Sequence, residues 1–225
     1  DEFKNEAILK GKYKEPPELT KCSTDLENFD WRAFGKVSRV KDQGPCASCV
    51  AFASISTLES SHAIRNNRRV DGSEQHTLSC FGGITCSVGA QISRVSRHLV
   101  EEGTSPEHLY PYTARKDACN ERTPTPIDAV AWSYVHDWAL QVNERRHHDR
   151  FVAEIKAALC QHGPVTTTIW ITPAFRAYSN GIFNENNGVF ATNRNERHQY
   201  TNHAMALVGV GSRQIQPALE AVLDR

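Results

Sequence analysis

Apolar residues recur at helical spacing in three segments of the chain. The first runs from Ser48, a residue type that caps helices, to about Arg65, with an apolar residue every three or four positions. The second covers residues 90–102 and ends before Gly103, a natural helix stop, and the third covers 150–162. We therefore predict three amphipathic helices.

Two later segments have a different pattern that predicts β-strands. Residues 163–171, GPVTTTIWI, and 203–211, HAMALVGVG, are rich in β-branched and apolar residues. Residues 28–40 form an extended lead-in, and 107–126 are expected to be a loop. Because helices come first and strands later, the order indicates an α+β fold with a helical lobe and a sheet lobe. The polar, lysine-rich residues 1–27 are expected to be an arm or a propeptide remnant.

Charge and hydropathy exclude two classes of partner. Lys+Arg and Asp+Glu both number 26, so the formal net charge is zero and nothing draws the chain to nucleic acid or anionic membranes. We find no apolar run long enough to span a bilayer. A chain of 225 residues can bury a substantial core.

The cysteine count points to an oxidising compartment. Seven cysteines are many for a cytosolic domain, and an odd number suggests paired bridges plus one free, reactive thiol. They are Cys22, Cys46, Cys49, Cys80, Cys86, Cys119 and Cys160.

The stretch DQGPCASCVAF contains two of them and allows four interpretations, namely a metal clip, a redox pair, half of a disulfide framework or a catalytic nucleophile. A zinc site needs two regularly spaced ligand pairs, and the spacing from Cys80 to Cys86 suits one poorly. The run at 144–150 favours a solvated face over metal binding. A thioredoxin-like pair needs a preceding strand, and none is predicted. We therefore favour a catalytic nucleophile and expect no metal and no organic cofactor.

Cys49 is the better placed of the two for nucleophilic chemistry. It opens the first predicted helix, where the helix dipole favours a thiolate. Its backbone N–H is free to stabilise an oxyanion, and the amide of Gln43 offers a second donor. A base must come from elsewhere, and His203 opens the last apolar strand.

Several motifs together resemble one protein family. DWRAFGKVSRVKDQGPCASCVAF, LSCFGGITCSVG, YPYTARKDAC, HGPVTTTIW and NHAMALVGVG are similar, in order and approximate spacing, to papain-like cysteine proteases. The resemblance covers most of residues 28–211. It implies a two-lobe fold with a cleft, in which 28–225 is the catalytic domain, about 40–128 the helical lobe, and about 129–211 plus the lead-in the sheet lobe.

The resemblance also implies roles for individual residues. Cys49 matches the nucleophile, His203 the general base and ion-pair partner, and Gln43 the oxyanion-hole donor. Gly89 matches a glycine whose backbone pairs with substrate beside the cleft, and Asn202 is expected to flank the substrate site, where many members carry Asp.

The resemblance implies disulfides as well. It pairs Cys46 with Cys86 and Cys80 with Cys119, and leaves Cys49 free. Cys22 and Cys160 have no clear counterpart in the family, and we predict that they form a third bridge.

The C-terminal part departs from the family pattern. Members usually carry an Asn-Ser-Trp motif after the histidine strand, and its Asn orients the imidazole. This chain reads SRQIQPALEAVLDR there, where Gln214 and Gln216 carry amides but neither is favoured as a substitute. Val50 also stands where the family prefers Trp.

The resemblance predicts a cysteine endopeptidase that acts through an acyl-enzyme on peptides or proteins. The expected partners are substrate, its own propeptide or a protein inhibitor, and the expected state is a monomer. The compartment would be secreted, lysosomal or otherwise oxidising. The absent Asn keeps open an alternative, a catalytically weak or inactive homologue that binds peptide. A thiol-dependent transferase on the same fold is a more distant alternative.

Overall fold

The computed structural model describes residues 22–135, 148–179, 183 and 201–211. Within these residues, a short 3-10 helix at Trp31–Phe34 accompanies five α-helices and four β-strands. In chain order these are β1 (Phe29–Asp30), α1 (Cys49–Arg65), α2 (Glu74–Cys80), α3 (Ile92–Glu101), α4 (His148–His162), β2 (Val165–Ile169), α5 (Pro173–Arg176), β3 (His203–Leu207) and β4 (Gly209–Val210).

Helix α1 is the central element of the larger core. Its apolar residues are buried against α2, α3 and β3, and its first residue, Cys49, lies at the edge of the same cluster. The helix begins one residue after Ser48 and ends at Arg65, close to the predicted bounds. The buried residues of this cluster are Cys46, Val50, Ala51, Ala53, Ile55, Leu58, Leu78, Ile84, Val95, Leu99, Ile127 and Ala204.

Helix α2 is a difference from the sequence prediction, which had no helix there. Its N-cap is Ser73, whose side chain accepts a hydrogen bond from the N–H of His76, and six of its seven residues are buried. Helix α3 is shorter than predicted, because it begins at Ile92 and ends at Glu101. Gly103 follows with φ of 72°, a left-handed conformation that suits the predicted stop.

The strands form two antiparallel pairs. In the first, β2 pairs with β3 in the register Thr166 to Ala206 and Ile169 to His203. In the second, β1 pairs with β4, so that residues near both ends of the described chain meet. Gly209 is needed in β4, since a Cβ there would collide with the carbonyl of Phe29.

A smaller core joins the N-terminal strand to the helices. It is built from Phe29, Trp31, Ile64 and Leu159, all less than a tenth exposed. The indole N–H of Trp31 donates to the carbonyl of Leu159 at 3.0 Å, which satisfies a buried donor. This contact fixes the lead-in to α4.

Three disulfides cross-link the chain. They join Cys22 to Cys160, Cys46 to Cys86 and Cys80 to Cys119, the pairs expected from the sequence, and Cys49 is free. The first ties the segment before β1 to α4. The other two lie within the region predicted as the helical lobe.

Some sequence expectations fall outside the described residues. These include the tail SRQIQPALEAVLDR with Gln214 and Gln216, most of the run at 144–150, and nearly all of the proposed arm. Within the described part, no helix is long and apolar enough to cross a membrane.

Candidate active site

The thiol of Cys49 lies at the start of α1. The residue is half-buried, and its sulfur is outside every disulfide. The first N–H groups of an α-helix have no intrahelical acceptor, so the N–H groups here can stabilise negative charge. Position and bonding state both suit a nucleophile.

The loop before α1 holds Gln43 close to this helix end. Gly44 turns the chain with φ of 57°, and its N–H donates to Asp42 Oδ1 at 2.7 Å. The amide of Gln43 donates from Nε2 to the carbonyl of Cys46 at 2.9 Å. An amide nitrogen carries two N–H groups, so one remains for a ligand.

Ser48 has a different role from the one predicted. It occupies the N-cap position of α1, but its side chain makes no capping hydrogen bond. Its hydroxyl lies 2.6 Å from the hydroxyl of Tyr112, which in turn donates to the carbonyl of Gln43 at 2.8 Å. Tyr112 belongs to the segment 107–126 that is predicted to be a loop, and its contact with Ser48 was not predicted from the sequence. The tyrosine in YPYT was the available signal.

His203 is the first residue of β3, opposite Ile169 of β2. Strand β3 packs against α1, and Thr166 of β2 fixes the pair to the helix through the Thr57 hydroxyl at 2.8 Å. The next residue of β3, Ala204, belongs to the same buried cluster that Cys49 contacts. The structure thus packs the strand that carries the proposed base against the helix that carries the proposed nucleophile.

The environment of His203 disfavours the imidazolium. Burial lowers the pKa of His203, and the nearby positive charge of Arg176, at the end of α5, lowers this pKa further. Its Nε2 is buried and has no hydrogen-bond partner among the described residues. Within this part of the chain, no hydrogen bond joins His203 to Cys49. Catalytic hydrogen bonds are often long or poorly aligned until substrate binds.

Asn202 supports the backbone beside His203. Its side-chain Oδ1 accepts from the N–H of Ile171 at 2.7 Å, and its Nδ2 donates to the carbonyl of Ile171 at 3.2 Å. This paired contact links the segment between β2 and α5 to the start of β3. The amide already has backbone partners, although the residue is exposed and was expected to flank substrate.

Gly89 lies beside the loop before α1. A Cβ at this position would meet the carbonyl of Ala47 at 3.7 Å, an ordinary contact. Neither space nor a positive φ therefore requires glycine here. Its expected role, backbone pairing with substrate, remains a prediction.

A buried ionic cluster lies behind the loop. The ammonium of Lys41 is 2.7 Å from Asp71, 3.0 Å from Glu74 and 3.6 Å from Glu59. Burial raises the pKa of Glu74 to about 8, although the charge of Lys41 opposes this shift. Burial likewise raises the pKa of Glu59, again against the attraction of Lys41. No group of three potential metal ligands is found among the described residues.

Comparison with known proteins gives the family. A model of the papain family of cysteine proteases matches residues 26–219, most of the chain. This chain belongs to the papain family of cysteine proteases.

Several curated members of the papain family are similar over most of the chain. Digestive cysteine proteinase 1 of Homarus americanus is 32% identical over 189 residues, which cover 80% of this chain and 55% of that protein. Fruit bromelain of Ananas comosus is 29% identical over 186 residues, which cover 82% and 46%. Stem bromelain of Ananas comosus is 30% identical, with 84% and 79% covered. The chain thus spans about half the length of the first two.

Solved papain-family structures confirm the fold. The bromelain protease from Ananas comosus, in complex with the E64 inhibitor, superposes with a TM-score of 0.66 at 27% identity, covering 83% of this chain and 77% of that one. A Carica candamarcensis cysteine protease in complex with E-64 gives 0.65 at 24% identity, with 83% and 78% covered, which supports the fold alone. The α+β, papain-like prediction is therefore confirmed.

Proposed function

We propose that this protein is a cysteine endopeptidase in which Cys49 is the nucleophile and His203 the general acid and base. One observation carries the proposal. The only free thiol among the described cysteines lies at the N-terminus of α1, and the strand that begins with His203 packs against that helix. Membership of a cysteine protease family supports the same reaction class.

The proposed reaction follows from the chemistry of these groups. The Cys49 thiolate attacks a peptide carbonyl, and the carbonyl electron pair moves to oxygen. The Gln43 amide and the N–H at the start of α1 stabilise this oxyanion. The imidazolium of His203 gives its proton to the departing amine, which leaves an acyl-enzyme. Water then gives a proton to His203 and attacks the thioester, which releases the acid and restores the thiolate and the imidazolium.

The mechanism requires an imidazolium at His203, and the surroundings of this residue oppose that charge. Burial and Arg176 both favour the neutral imidazole. A thiolate at Cys49 is an opposite charge that offsets them, so each member of the pair makes the other's ionisation easier. The imidazolium form of His203 is therefore expected together with the thiolate form of Cys49.

Alkylation of the unreduced protein with iodoacetamide from pH 4 to pH 9, followed by peptide mapping, tests the proposed pair. A thiolate stabilised by His203 reacts well below the ordinary thiol pKa of about 8.5. We expect labelling at Cys49 alone near pH 5, together with hydrolysis of a peptidyl coumarylamide. An ordinary alkylation midpoint without hydrolysis would contradict the proposal.

Two variants make the assignment specific. Cys49→Ser should abolish labelling and reduce hydrolysis by roughly 10⁴-fold or more, as loss of a covalent nucleophile does in related mechanisms. His203→Ala should move the alkylation midpoint toward that of a free thiol. His108→Ala is the matched control, because His108 is exposed and lies in the segment between α3 and α4. It should behave like the parent protein.

A second candidate function is supported by one feature of the site. The buried Nε2 of His203 has no partner in the described part of the chain, whereas a catalytic triad orients its imidazole through a bond from a third group to one ring nitrogen. A weakly active or inactive member of the family would still bind peptide in the cleft. Peptide binding by calorimetry without cleavage after long incubation would favour this candidate over the peptidase.

The proposal also covers the compartment in which the protein acts and the partners that it binds. Three disulfides in a chain of this size suit an oxidising environment, so we place the protein in a secreted or lysosomal setting. The proposed partners are peptide or protein substrate, a propeptide, and protein inhibitors, with a monomer as the working state. The proposed layout keeps 28–225 as the catalytic domain, with the helical lobe at about 40–128.

A further inference from the structure

We propose that Tyr112 is a positioning residue for the oxyanion hole, which it controls through two hydrogen bonds that span the loop before α1. The inference rests on the proposed function, since it assigns to Tyr112 the placement of Gln43 relative to Cys49. The hydroxyl of Tyr112 lies between the backbone of Gln43 and the side chain of Ser48, at 2.8 Å and 2.6 Å.

The chemistry of the Gln43 carbonyl determines which group donates in each hydrogen bond of the Tyr112 hydroxyl. The carbonyl of Gln43 only accepts, so the single hydroxyl proton of Tyr112 is donated to it. Ser48 must then donate its own proton to the oxygen of Tyr112. Its other acceptor, the carbonyl of Cys46, is farther away at 3.4 Å. Burial raises the pKa of the Tyr112 hydroxyl, so this proton is retained at neutral pH.

The two partners of Tyr112 stand on either side of the catalytic loop. Gln43 carries the amide proposed to bind the oxyanion, and Ser48 directly precedes Cys49 in sequence. Ser48 is fully buried, so its hydroxyl cannot turn to solvent for another partner. The hydroxyl of Tyr112 therefore links both ends of the loop and holds the donor and the nucleophile at one separation.

The position of Tyr112 is fixed by contacts that do not involve its hydroxyl. Its ring packs edge-on against Phe52 of α1, with ring centroids 4.8 Å apart and an interplanar angle of 88°. Its backbone N–H donates to the carboxylate of Glu107 at 2.9 Å. Without the hydroxyl the ring would remain in place, while the Gln43 carbonyl and the Ser48 hydroxyl would lose their closest partner.

The neighbouring Tyr110 offers a matched control within the same Tyr-Pro-Tyr sequence. Its hydroxyl donates to the carbonyl of Ala118 at 3.1 Å, in an exposed part of the loop. Its ring packs against His76, away from the residues before α1. Tyr110→Phe and Tyr112→Phe therefore remove the same atom, but only the second breaks the contacts with Gln43 and Ser48.

The test uses three measurements that depend differently on the oxyanion hole. Hydrolysis of a peptidyl coumarylamide and reversible binding of a peptidyl aldehyde both place negative charge on oxygen, since the thiol adds to the carbonyl in each. Alkylation by iodoacetamide does not, because the thiolate displaces iodide directly. Activity is expressed per Cys49 titrated, so partly unfolded protein does not count.

We expect Tyr112→Phe to lower kcat by roughly 10- to 100-fold and to weaken aldehyde binding by about tenfold or more. KM and the alkylation rate should stay within about twofold of Tyr110→Phe. Ser48→Ala added to Tyr112→Phe should cause little further loss, because both changes break the same link. These results would support the positioning role.

Three results would overturn the inference. Tyr112→Phe could match Tyr110→Phe in kcat and aldehyde binding, or lower alkylation as much as hydrolysis, which a general structural defect would do. Alternatively, it could reduce only the titratable fraction. If the parent protein cleaves no amide, the peptidase proposal fails, and aldehyde binding still decides the role of Tyr112. Tenfold weaker binding in Tyr112→Phe supports the role, whereas equal or absent binding in both proteins excludes it.

Discussion

Two influences act on the imidazole of His203 from opposite directions. Burial and the charge of Arg176 lower its pKa, whereas a thiolate at Cys49 would raise it. Arg176 belongs to the short helix α5, which follows the strand that pairs with β3. The charge of one exposed side chain therefore bears on the protonation state of the proposed base.

Arg176→Gln should raise the pKa of His203, because it removes the neighbouring positive charge. The imidazolium would then persist to higher pH, and the alkaline limb of the kcat/KM profile should move to higher pH. The measurement is kcat/KM for a neutral peptide substrate across pH 6 to 10. Arg150→Gln, which removes an exposed charge paired with Glu154 on α4, should leave the limb unchanged. A shift to lower pH would contradict the account.

At this scale the sequence predicted some residues well and missed others for a physical reason. The position of Cys49 at a helix start was predictable from the apolar periodicity that follows it, and its catalytic role stays a prediction. Tyr112 could not, because its partners lie 69 and 64 residues away in sequence and one is a backbone carbonyl. Ser48 was expected to cap α1, but the tyrosine hydroxyl competes for its side chain.

At the scale of elements, Lys41 joins three parts of the helical region. Its ammonium contacts Glu59 in α1, Glu74 at the start of α2 and Asp71 in the segment between them. Both glutamates are almost fully buried, at 2% side-chain exposure. Burial alone would lower the pKa of Lys41, but the carboxylates of Glu74 and Glu59 more than offset this and keep it charged.

Lys41→Met should destabilise the fold strongly at alkaline pH. Removing the ammonium leaves buried carboxylates without their counter-charge, a change that typically costs about 3–5 kcal/mol. At pH 5 the glutamates can take up protons, so the loss should be smaller. Urea unfolding at pH 5 and pH 8 measures both. Arg32→Met, which breaks the surface pair with Asp30, should cost no more than about 1 kcal/mol. A loss independent of pH would contradict the prediction.

Glu74 provides a second, pH-dependent test. Its pKa is about 8 in the folded state against an ordinary value of 4.5, so the folded protein holds this proton between the two values and the unfolded chain releases it. Its contribution to stability is therefore present below pH 4.5 and is lost as pH rises through about 8.

Glu74→Gln removes this titration and keeps the side-chain shape. The free energy of unfolding of the parent protein, relative to Glu74→Gln, should fall between pH 5 and pH 8. Glu154→Gln on α4 serves as the control for a surface carboxylate. A relative stability that rises with pH would mean that Glu74 is ionised and favourably paired in the folded state.

The elements themselves were predictable wherever periodicity was strong. Helices α1, α3 and α4 were all found, with ends that differ from the structure by at most two residues. Helix α2 was missed because its sequence, EQHTLSC, is mostly polar and has no apolar period. Several of those polar residues have partners distant in sequence, such as Lys41 for Glu74 and Thr104 for Thr77, and no local pattern records that.

At the scale of the whole molecule, Cys22–Cys160 closes the longest covalent loop. The two residues are 138 apart in sequence, against 40 and 39 for the other bridges. The bridge fastens the segment before β1 to α4, beside the small aromatic core around Trp31. Loss of the bridge is therefore expected to destabilise that core.

Replacing both Cys22 and Cys160 with Ala should lower the free energy of unfolding by about 3–5 kcal/mol, since the unfolded chain regains the freedom that a long loop removes. Denaturant unfolding under non-reducing conditions gives the value. Cys49 should remain the only residue labelled by iodoacetamide in the folded variant. A loss below about 1 kcal/mol would show that the other bridges and the packing already restrain this end of the chain.

The pairing of β1 with β4 has a consequence for synthesis of the protein. Phe29 bonds across to Val210, so the first strand has no partner until about 180 further residues have been made. At roughly 5–20 residues per second, that wait lasts on the order of ten to forty seconds. Throughout it, Phe29 and Trp31 lack the cover that Leu207 and Val210 give them in the folded protein. A nascent chain therefore needs protection around β1 until β4 has been translated.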